Sequence, residues 1–319
     1  MNDPKVSIGM PVYNGANYVR RSVQSLLAQD YDDFELIISD NGSTDETESI
    51  CRELSKSDDR IRYFRNDRNR GASWNYNNVF RLARGQFFKW SSHDDECHPM
   101  MVRRCVEVLE RAPDRVTMVY PLGELIDEQS RTLQCPLDRI ELRDPRPHRR
   151  VAKTLSCMCF CDPVFGMFKA EYLKKTQLIG SFFGADNVLM AQLAMLGEIW
   201  ELGEVLFRLR SHSGRCMTAN RTARARAGWY DPASARKLFV IPCWEQLVWE
   251  LFKAVRRSSL PFSEKVRCWL LVPRYYRSLV LSDPSRMENR MKQRLKALLG
   301  IGEKGIRATG WIRFLRRVP

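Results

Sequence analysis

The chain has 319 residues, enough for one large domain with an appendage or for two ordinary domains. Hydrophobic residues make up 44% and charged residues 28%, which excludes disorder as the default state. The net charge of +14 is concentrated: residues 251–319 hold 17 Lys and Arg against Glu264, Asp283, Glu288 and Glu303, leaving a nearly neutral body and a tail suited to anionic lipid or nucleic acid.

The first predicted element is a strand at Val6–Met10, bounded by Pro11. Tyr18–Ala28 carries Val19, Val23, Leu26 and Leu27 at helical spacing. Phe34–Ser39 holds Leu36, Ile37 and Ile38 in a row, the pattern of a strand buried on both faces. Asp40-Asn41-Gly42-Ser43 reads as a turn, after which Thr44 or Asp45 caps a helix to about Lys56. Ile61–Arg65 is a third strand, Ser73–Ala83 a helix ending at Gly85, and Gln86–Trp90 a fourth strand. Pro99 opens a helix to about Arg111, and Val116–Tyr120 is a fifth strand. Residues 121–160, rich in Pro and Arg, read as a long connection or an acceptor-side insertion. Val164–Lys169 resumes as a strand, Asp186–Leu196 is a helix with Leu189, Met190, Leu193 and Leu196 on one face, and Ile199–Arg210 forms one or two strands.

Alternation of strands and helices at roughly 25-residue spacing predicts an α/β domain, a mostly parallel central sheet with flanking helices, over residues 1–218. Residues 219–319 are expected to form a helical, basic C-terminal extension. Ligands of such sheets bind at the carboxyl ends of the strands. Pro11–Asn14, Asp40–Ser43 and Ser91–Asp95 therefore share one rim.

Ten cysteines lack the paired CxxC clusters of a structural zinc site and read as buried thiols of a reducing cytosol. Cys157, Cys159 and Cys161 alternate, which on a strand puts three thiols on one face. The opening MNDPKVSIGMPVYNG lacks a basic region followed by a long apolar core, so no secretory leader is expected. No stretch approaches the ~18 charge-free apolar residues of a spanning helix. A cytoplasmic location is expected, or a peripheral one at the inner face of the membrane.

VSIGMPVYNGANYVRRSVQSLLAQDYDDFELIISDNGSTDET resembles the opening of family 2 glycosyltransferases, and NRGASWNYNNVFRLARGQFFKWSSHDD continues the pattern. The resemblance covers about residues 5–215. It implies a GT-A type fold and transfer of a sugar from a nucleotide-sugar donor to a hydroxyl of a saccharide or lipid-linked acceptor. The departing diphosphate has to be neutralised, for which hard oxygen ligands with Mg²⁺ or Mn²⁺ are suited. By position, the resemblance places Pro11, Tyr13 and Asn14 along the donor pocket and Asp40 and Asn41 at the base or ribose. Asn41 stands where the family often has a second Asp. The family's Asp-X-Asp-Asp appears here as Ser92-His93-Asp94-Asp95. This implies Asp95 as the direct metal ligand and Asp94 near the ribose or a metal-bound water. His212 is implied as a further metal ligand, and Asp186 as the base that deprotonates the acceptor, with N-capping as its structural alternative. Asp162 is a candidate acceptor contact.

Other classes fit less well. A nucleotidyltransferase would need a glycine-rich basic phosphate loop near the N-terminus, which is missing. A nucleic-acid-binding protein could use Trp269, Arg274, Tyr275 and Arg277, but these match no reading module. A catalytically inactive nucleotide-sugar-binding homologue remains open, as do the sugar, the base, the acceptor and the oligomeric state.

Overall fold

The structure is a computed structural model that describes residues 3–134, 140–157, 162–214, 220, 222–237 and 241–282. The chain forms two compact units, Met1–Val272 and Pro273–Pro319. Nine strands form one sheet: β1 (Val6–Val12), β2 (Phe34–Asp40), β3 (Ile61–Arg65), β4 (Phe87–Trp90), β5 (Glu96–Cys97), β6 (Val116–Ile126), β7 (Thr132–Gln134), β8 (Met167–Lys169) and β9 (Glu198–Arg210). The order is β3-β2-β1-β4-β8-β6-β9-β5, with β7 pairing β6 off this path. The first four strands are mutually parallel, as is the β6–β9 pair. The pairs around β8, β5 and β7 are antiparallel, so the sheet is mixed.

β1 and β2 are buried along their whole length, as their unbroken apolar runs require. β1 continues through Pro11 to Val12 because pairing with β4 ends at Gly9↔Trp90, leaving Pro11 paired on the β2 side alone. β6 likewise passes Pro121 and reaches Ile126, and its register with β9 shifts between Tyr120 and Leu122, where the bulge absorbs the proline.

The helices of the sheet layer are α1 (Val19–Leu27), α2 (Thr47–Ser57), α3 (Ala72–Arg81), α4 (Met101–Arg111), α5 (Pro147–Cys157), α6 (Ala170–Leu173) and α7 (Ala185–Leu196). α1 buries Val19, Ser22, Val23 and Leu26, and α4 buries Met101, Val102, Cys105, Val106 and Leu109, the one-sided spacing that docks a helix on a sheet. α7 is buried nearly all round and packs against α5 as well as the sheet. Phe88 meets Phe80 of α3 edge-on across the layers, with ring centroids 5.0 Å apart, and Trp90 of its own strand at 4.9 Å.

Three expectations are corrected. The stretch expected to be irregular contains α5, opened by Pro147 and buried through Val151 and Leu155. Cys157 therefore ends a helix rather than lining a strand face, while Cys159 and Cys161 lie outside the described residues. The expected strand Val164–Lys169 begins only at Met167, because Pro163 sets a 3-10 turn over Asp162–Phe165 closed by Gly166 N–H on the Pro163 carbonyl at 2.9 Å. Cys51, Cys97, Cys105 and Cys268 are buried thiols, and burial pushes Cys51 and Cys105 up to about 12, far from nucleophilic.

Among the described residues four helices follow the sheet: α8 (Ala223–Tyr230), α9 (Pro232–Ala235), α10 (Cys243–Arg257) and α11 (Phe262–Ser282). Thr222 and Asp231 cap the first two, accepting from Ala225 N–H at 3.1 Å and Ala233 N–H at 3.0 Å. Gly71, at φ 90° before α3, lies so close to the α8–α9 junction that an added Cβ would sit 2.3 Å from the Tyr230 carbonyl oxygen. α10 packs against α7. Among the described residues no helix is long and apolar enough to cross a membrane.

Candidate active site at the carboxyl edge of the sheet

The loops after β1, β2 and β4 meet at one edge. Asn14 donates its N–H to Ser43 Oγ at 2.9 Å, Gly15 N–H to Thr47 Oγ1 at 2.8 Å and Ala16 N–H to Asp45 Oδ2 at 3.1 Å. Asn14 sits at φ 50°, a conformation asparagine tolerates, and its Oδ1 accepts from Thr44 N–H at 2.9 Å. Tyr13 is 41% exposed beside it, whereas Pro11 is buried within β1.

Asp40 and Asn41 shape the second turn from inside. Asp40 Oδ1 accepts from Ser43 N–H and Oδ2 from the Tyr63 hydroxyl, both at 2.8 Å, with Arg65 Nε at 3.6 Å. Burial and the hydrogen bond to Asp40 hold the Tyr63 phenol far above its ordinary pKa. Asn41 donates to Asn69 Oδ1 at 3.0 Å and the Gly71 carbonyl at 3.1 Å, and accepts from Asn66 Nδ2 and Arg70 N–H, each at 3.1 Å. Asn41→Ala is therefore expected to cost about 1–3 kcal/mol by stranding the buried Gly71 carbonyl and its less buried neighbours. Urea unfolding measures this, and a loss under ~0.5 kcal/mol, the scatter of a bland surface change, would refute it.

The loop from β4 to β5 rests on the start of α1. Ser22 Oγ donates to the Ser92 carbonyl at 2.8 Å. The His93 ring lies against Gly15, where an added Cβ would sit 2.5 Å from it. Asp94 Oδ1 accepts from Ser92 Oγ, and Oδ2 lies 2.8 Å from His212 Nε2. Burial works to raise the Asp94 pKa, but the His93 charge and the His212 and Ser92 hydrogen bonds outweigh it, holding the carboxyl well below its ordinary value. Asp95 is buried, and its Oδ1 accepts from Arg210 N–H at 2.8 Å. Asp94, rather than Asp95, thus faces His212. The Tyr18 ring packs on the His212 imidazole with centroids 4.8 Å apart.

Among the described residues no three His, Cys, Asp or Glu side chains form a group able to hold a metal. Asp94 and His212 still suit Mg²⁺ or Mn²⁺, because such ions in nucleotide sites take one or two protein ligands and complete their shell with phosphate oxygens and water.

Asp186 lies in the first turn of α7. Its Oδ1 accepts from Asn187 N–H at 2.9 Å, while the helix N-cap is Gly184, at φ 80°, with no side-chain cap. The capping alternative is therefore not realised. Asparagines of α3 tie β1 and β2 to the segment that precedes α7. Asn75 donates to the Ser39 and Val12 carbonyls at 2.8 and 3.3 Å. Asn77 bonds both the N–H and the carbonyl of Ile179, at 3.0 and 2.9 Å, and Ser73 Oγ donates to the same carbonyl at 2.7 Å. Sequence reasoning missed these asparagines, and Arg210, Tyr18 and Ser130 as well. The signal was the polar run Asn75, Asn77, Asn78 on a helix that otherwise reads as core.

Residues 7–176 match the model of the glycosyl transferase family 2. An uncharacterized glycosyltransferase of Rickettsia prowazekii is 39% identical over 132 residues, 41% of this chain and 40% of that protein. The Rickettsia relatives are matched over 19% to 40% of their own length. The GalNAc(5)-diNAcBac-PP-undecaprenol beta-1,3-glucosyltransferase of Campylobacter jejuni is 27% identical over 191 residues, 60% of each chain. Among solved structures, S. aureus TarS 1–349 in complex with UDP-GlcNAc superposes with a TM-score of 0.63 at 15% identity, over 88% of this chain and 74% of that one. The mannosyltransferase PcManGT of Pyrobaculum calidifontis, in complex with GDP-Man and Mn²⁺, superposes with a TM-score of 0.52 at 18% identity, over 93% and 86%. These structural likenesses concern the fold.

Proposed function

The chain belongs to the glycosyl transferase family 2, and from that premise we propose that it moves a sugar from a nucleotide-diphosphate sugar to a hydroxyl acceptor with inversion. The Asp94–His212 contact at the carboxyl edge of the sheet carries this reading. The two side chains would hold Mg²⁺ or Mn²⁺ against the donor diphosphate, and the ion would supply charge neutralisation for the leaving group. The exposed Tyr13 and the Asn14 loop, braced on the turn of Asp40 and Asn41, form the nucleoside side. Pro11 is buried in β1, two residues before Tyr13.

Asp186 takes the proton of the acceptor hydroxyl. The freed oxygen attacks the anomeric carbon, and the nucleoside diphosphate leaves from the opposite face. We assign this chemistry to residues 1–218 and attachment to residues 219–319. The TarS and PcManGT ligands, UDP-GlcNAc and GDP-Man with Mn²⁺, support a nucleotide-sugar donor and a divalent ion. Thermal shift against a panel of nucleotide sugars, with and without Mn²⁺, tests it. Stabilisation by one donor only with Mn²⁺ is expected, and a response to none would overturn it.

A lipid-linked acceptor used at the cytoplasmic membrane face, in the setting of cell-surface polysaccharide or glycolipid synthesis, is supported by the Campylobacter relative's name and by the tail. Trp244 packs on Phe183 with centroids 5.3 Å apart, and Trp269 Nε1 donates to the Phe252 carbonyl at 3.3 Å. Phe262 and Leu270, 74% and 65% exposed, are instead open, as are Val266 and Trp249. Phe262, Val266 and Leu270 recur every four residues, so they span about 80° of one helix face. Lys265, which donates to the Arg256 carbonyl at 3.0 Å, and Arg267, paired with Glu264 at 2.7 Å, flank that stripe, so an acidic lipid would meet the stripe's apolar residues with these two cations at its edges. Co-sedimentation with vesicles is expected to rise with anionic lipid, fall with salt and drop sharply in Phe262→Ser/Leu270→Ser. Equal binding to neutral vesicles, or none at low salt, would refute it.

A further inference from the structure

Arg210 closes β9, two residues before His212, and is 1% exposed. A guanidinium carries five N–H donors, and here five acceptors meet them. Nε donates to the Asp94 carbonyl at 2.9 Å. Nη1 donates to the Asp127 and Glu128 carbonyls at 2.8 and 3.2 Å. Nη2 donates to Ser130 Oγ at 3.1 Å and to the Glu96 carboxylate. Its backbone N–H holds Asp95 Oδ1, and its guanidinium lies 5.2 Å from the centroid of Tyr18, the ring that also packs on His212.

These contacts fasten Asp94 by its backbone and Asp95 by its side chain, while the Asp94 carboxylate stays turned to His212. They also bind the loop to the turn between β6 and β7, where Ser130, at φ 65°, donates to Glu96 Oε1 at 2.7 Å. Burying a cation this completely is costly, and packing alone would be served as well by Met or Leu. We propose that Arg210 is a positioning residue that sets the spacing of Asp94, Asp95 and His212 before the nucleotide arrives. The inference rests on the metal reading given above. Groups that orient metal ligands typically control about 10–100-fold in metal affinity.

The test is Mn²⁺ affinity of the full chain with UDP and with GDP, read from the free-ion signal in electron paramagnetic resonance, beside the thermal midpoint. Arg210→Lys keeps the charge but offers three donors from one point, and is expected to weaken Mn²⁺ by about 10–100-fold while the protein stays folded. Glu96→Gln, which leaves Arg210 and both aspartates in place, is expected to weaken it by about 10-fold and decides the matter if Arg210→Lys does not fold. Unchanged Mn²⁺ affinity in a folded Arg210→Lys, or in Glu96→Gln, overturns the assignment even if the midpoint falls. Wild-type protein that binds Mn²⁺ with neither nucleotide overturns the metal reading and this inference together.

Discussion

Asp94→Asn is expected to abolish metal-dependent donor binding and to lower transfer by about 10³, the equivalent of about 4 kcal/mol of lost stabilisation of the leaving diphosphate. The carboxylate oxygen that lies 2.8 Å from His212 becomes part of a neutral amide, so the proposed ion loses its anionic protein ligand. Asp95→Asn is expected to cost less, because an amide oxygen can still accept from Arg210 N–H where Asp95 Oδ1 does now. Donor hydrolysis and Mn²⁺ titration on both variants decide the order. A greater loss in Asp95→Asn would move the direct metal contact to Asp95, the residue the motif spacing favours. Near-normal turnover in Asp94→Asn would remove this pair from the mechanism.

The parallel half of the fold was legible because each strand there is a short apolar run closed by a turn, and burial on both faces leaves that composition little freedom. β3 has the bounds its residues suggest, and β2 differs by one residue. Prolines misled the reading where a neighbouring strand ends or a bulge intervenes, as at Pro11 and Pro121, since sequence does not show which side of a strand is paired. α5 was hidden because Arg150 and Thr154 are buried beside Val151 and Leu155, blurring the apolar stripe. Arg150 reaches the Asp144 carbonyl nearby at 2.7 Å and the Ala194 carbonyl at 2.8 Å, a use that depends on a partner 44 residues away.

The site divides in the same way. Motif spacing brings out Asp94, Asp95 and the turn at Asp40, because each lies within a few residues of a strand end. It gives no sign that Asp40 and Asn41 are committed to protein partners, or that Arg210 gathers acceptors from residues 94–96 and 127–130. Apart from the local Asp40–Ser43 bond those are long-range hydrogen bonds, and an arginine at the end of a strand reads like any other. Buried polar groups demand partners, but only the fold says which.

Asp186→Asn is expected to lower turnover by about 10²–10⁴ while nucleotide-sugar affinity stays within about twofold. Removal of a general base acts on the step in which the acceptor hydroxyl gives up its proton, and leaves donor contacts untouched. The structure suits that separation. Asp186 is in the first turn of α7, whereas the turn at Asp40–Ser43 is braced through Asn41 by Asn69 and Gly71. Because asparagine keeps an oxygen that can accept from Asn187 N–H as Asp186 Oδ1 does now, the substitution should cost little stability, so a lost rate is not a lost fold. The same mutant reports on stereochemistry. A single displacement assisted by Asp186 gives product of inverted anomeric configuration, which proton NMR of the wild-type product reads directly. Retained configuration, or donor affinity falling in step with turnover, would remove Asp186 from the role of base and leave it as part of the acceptor wall.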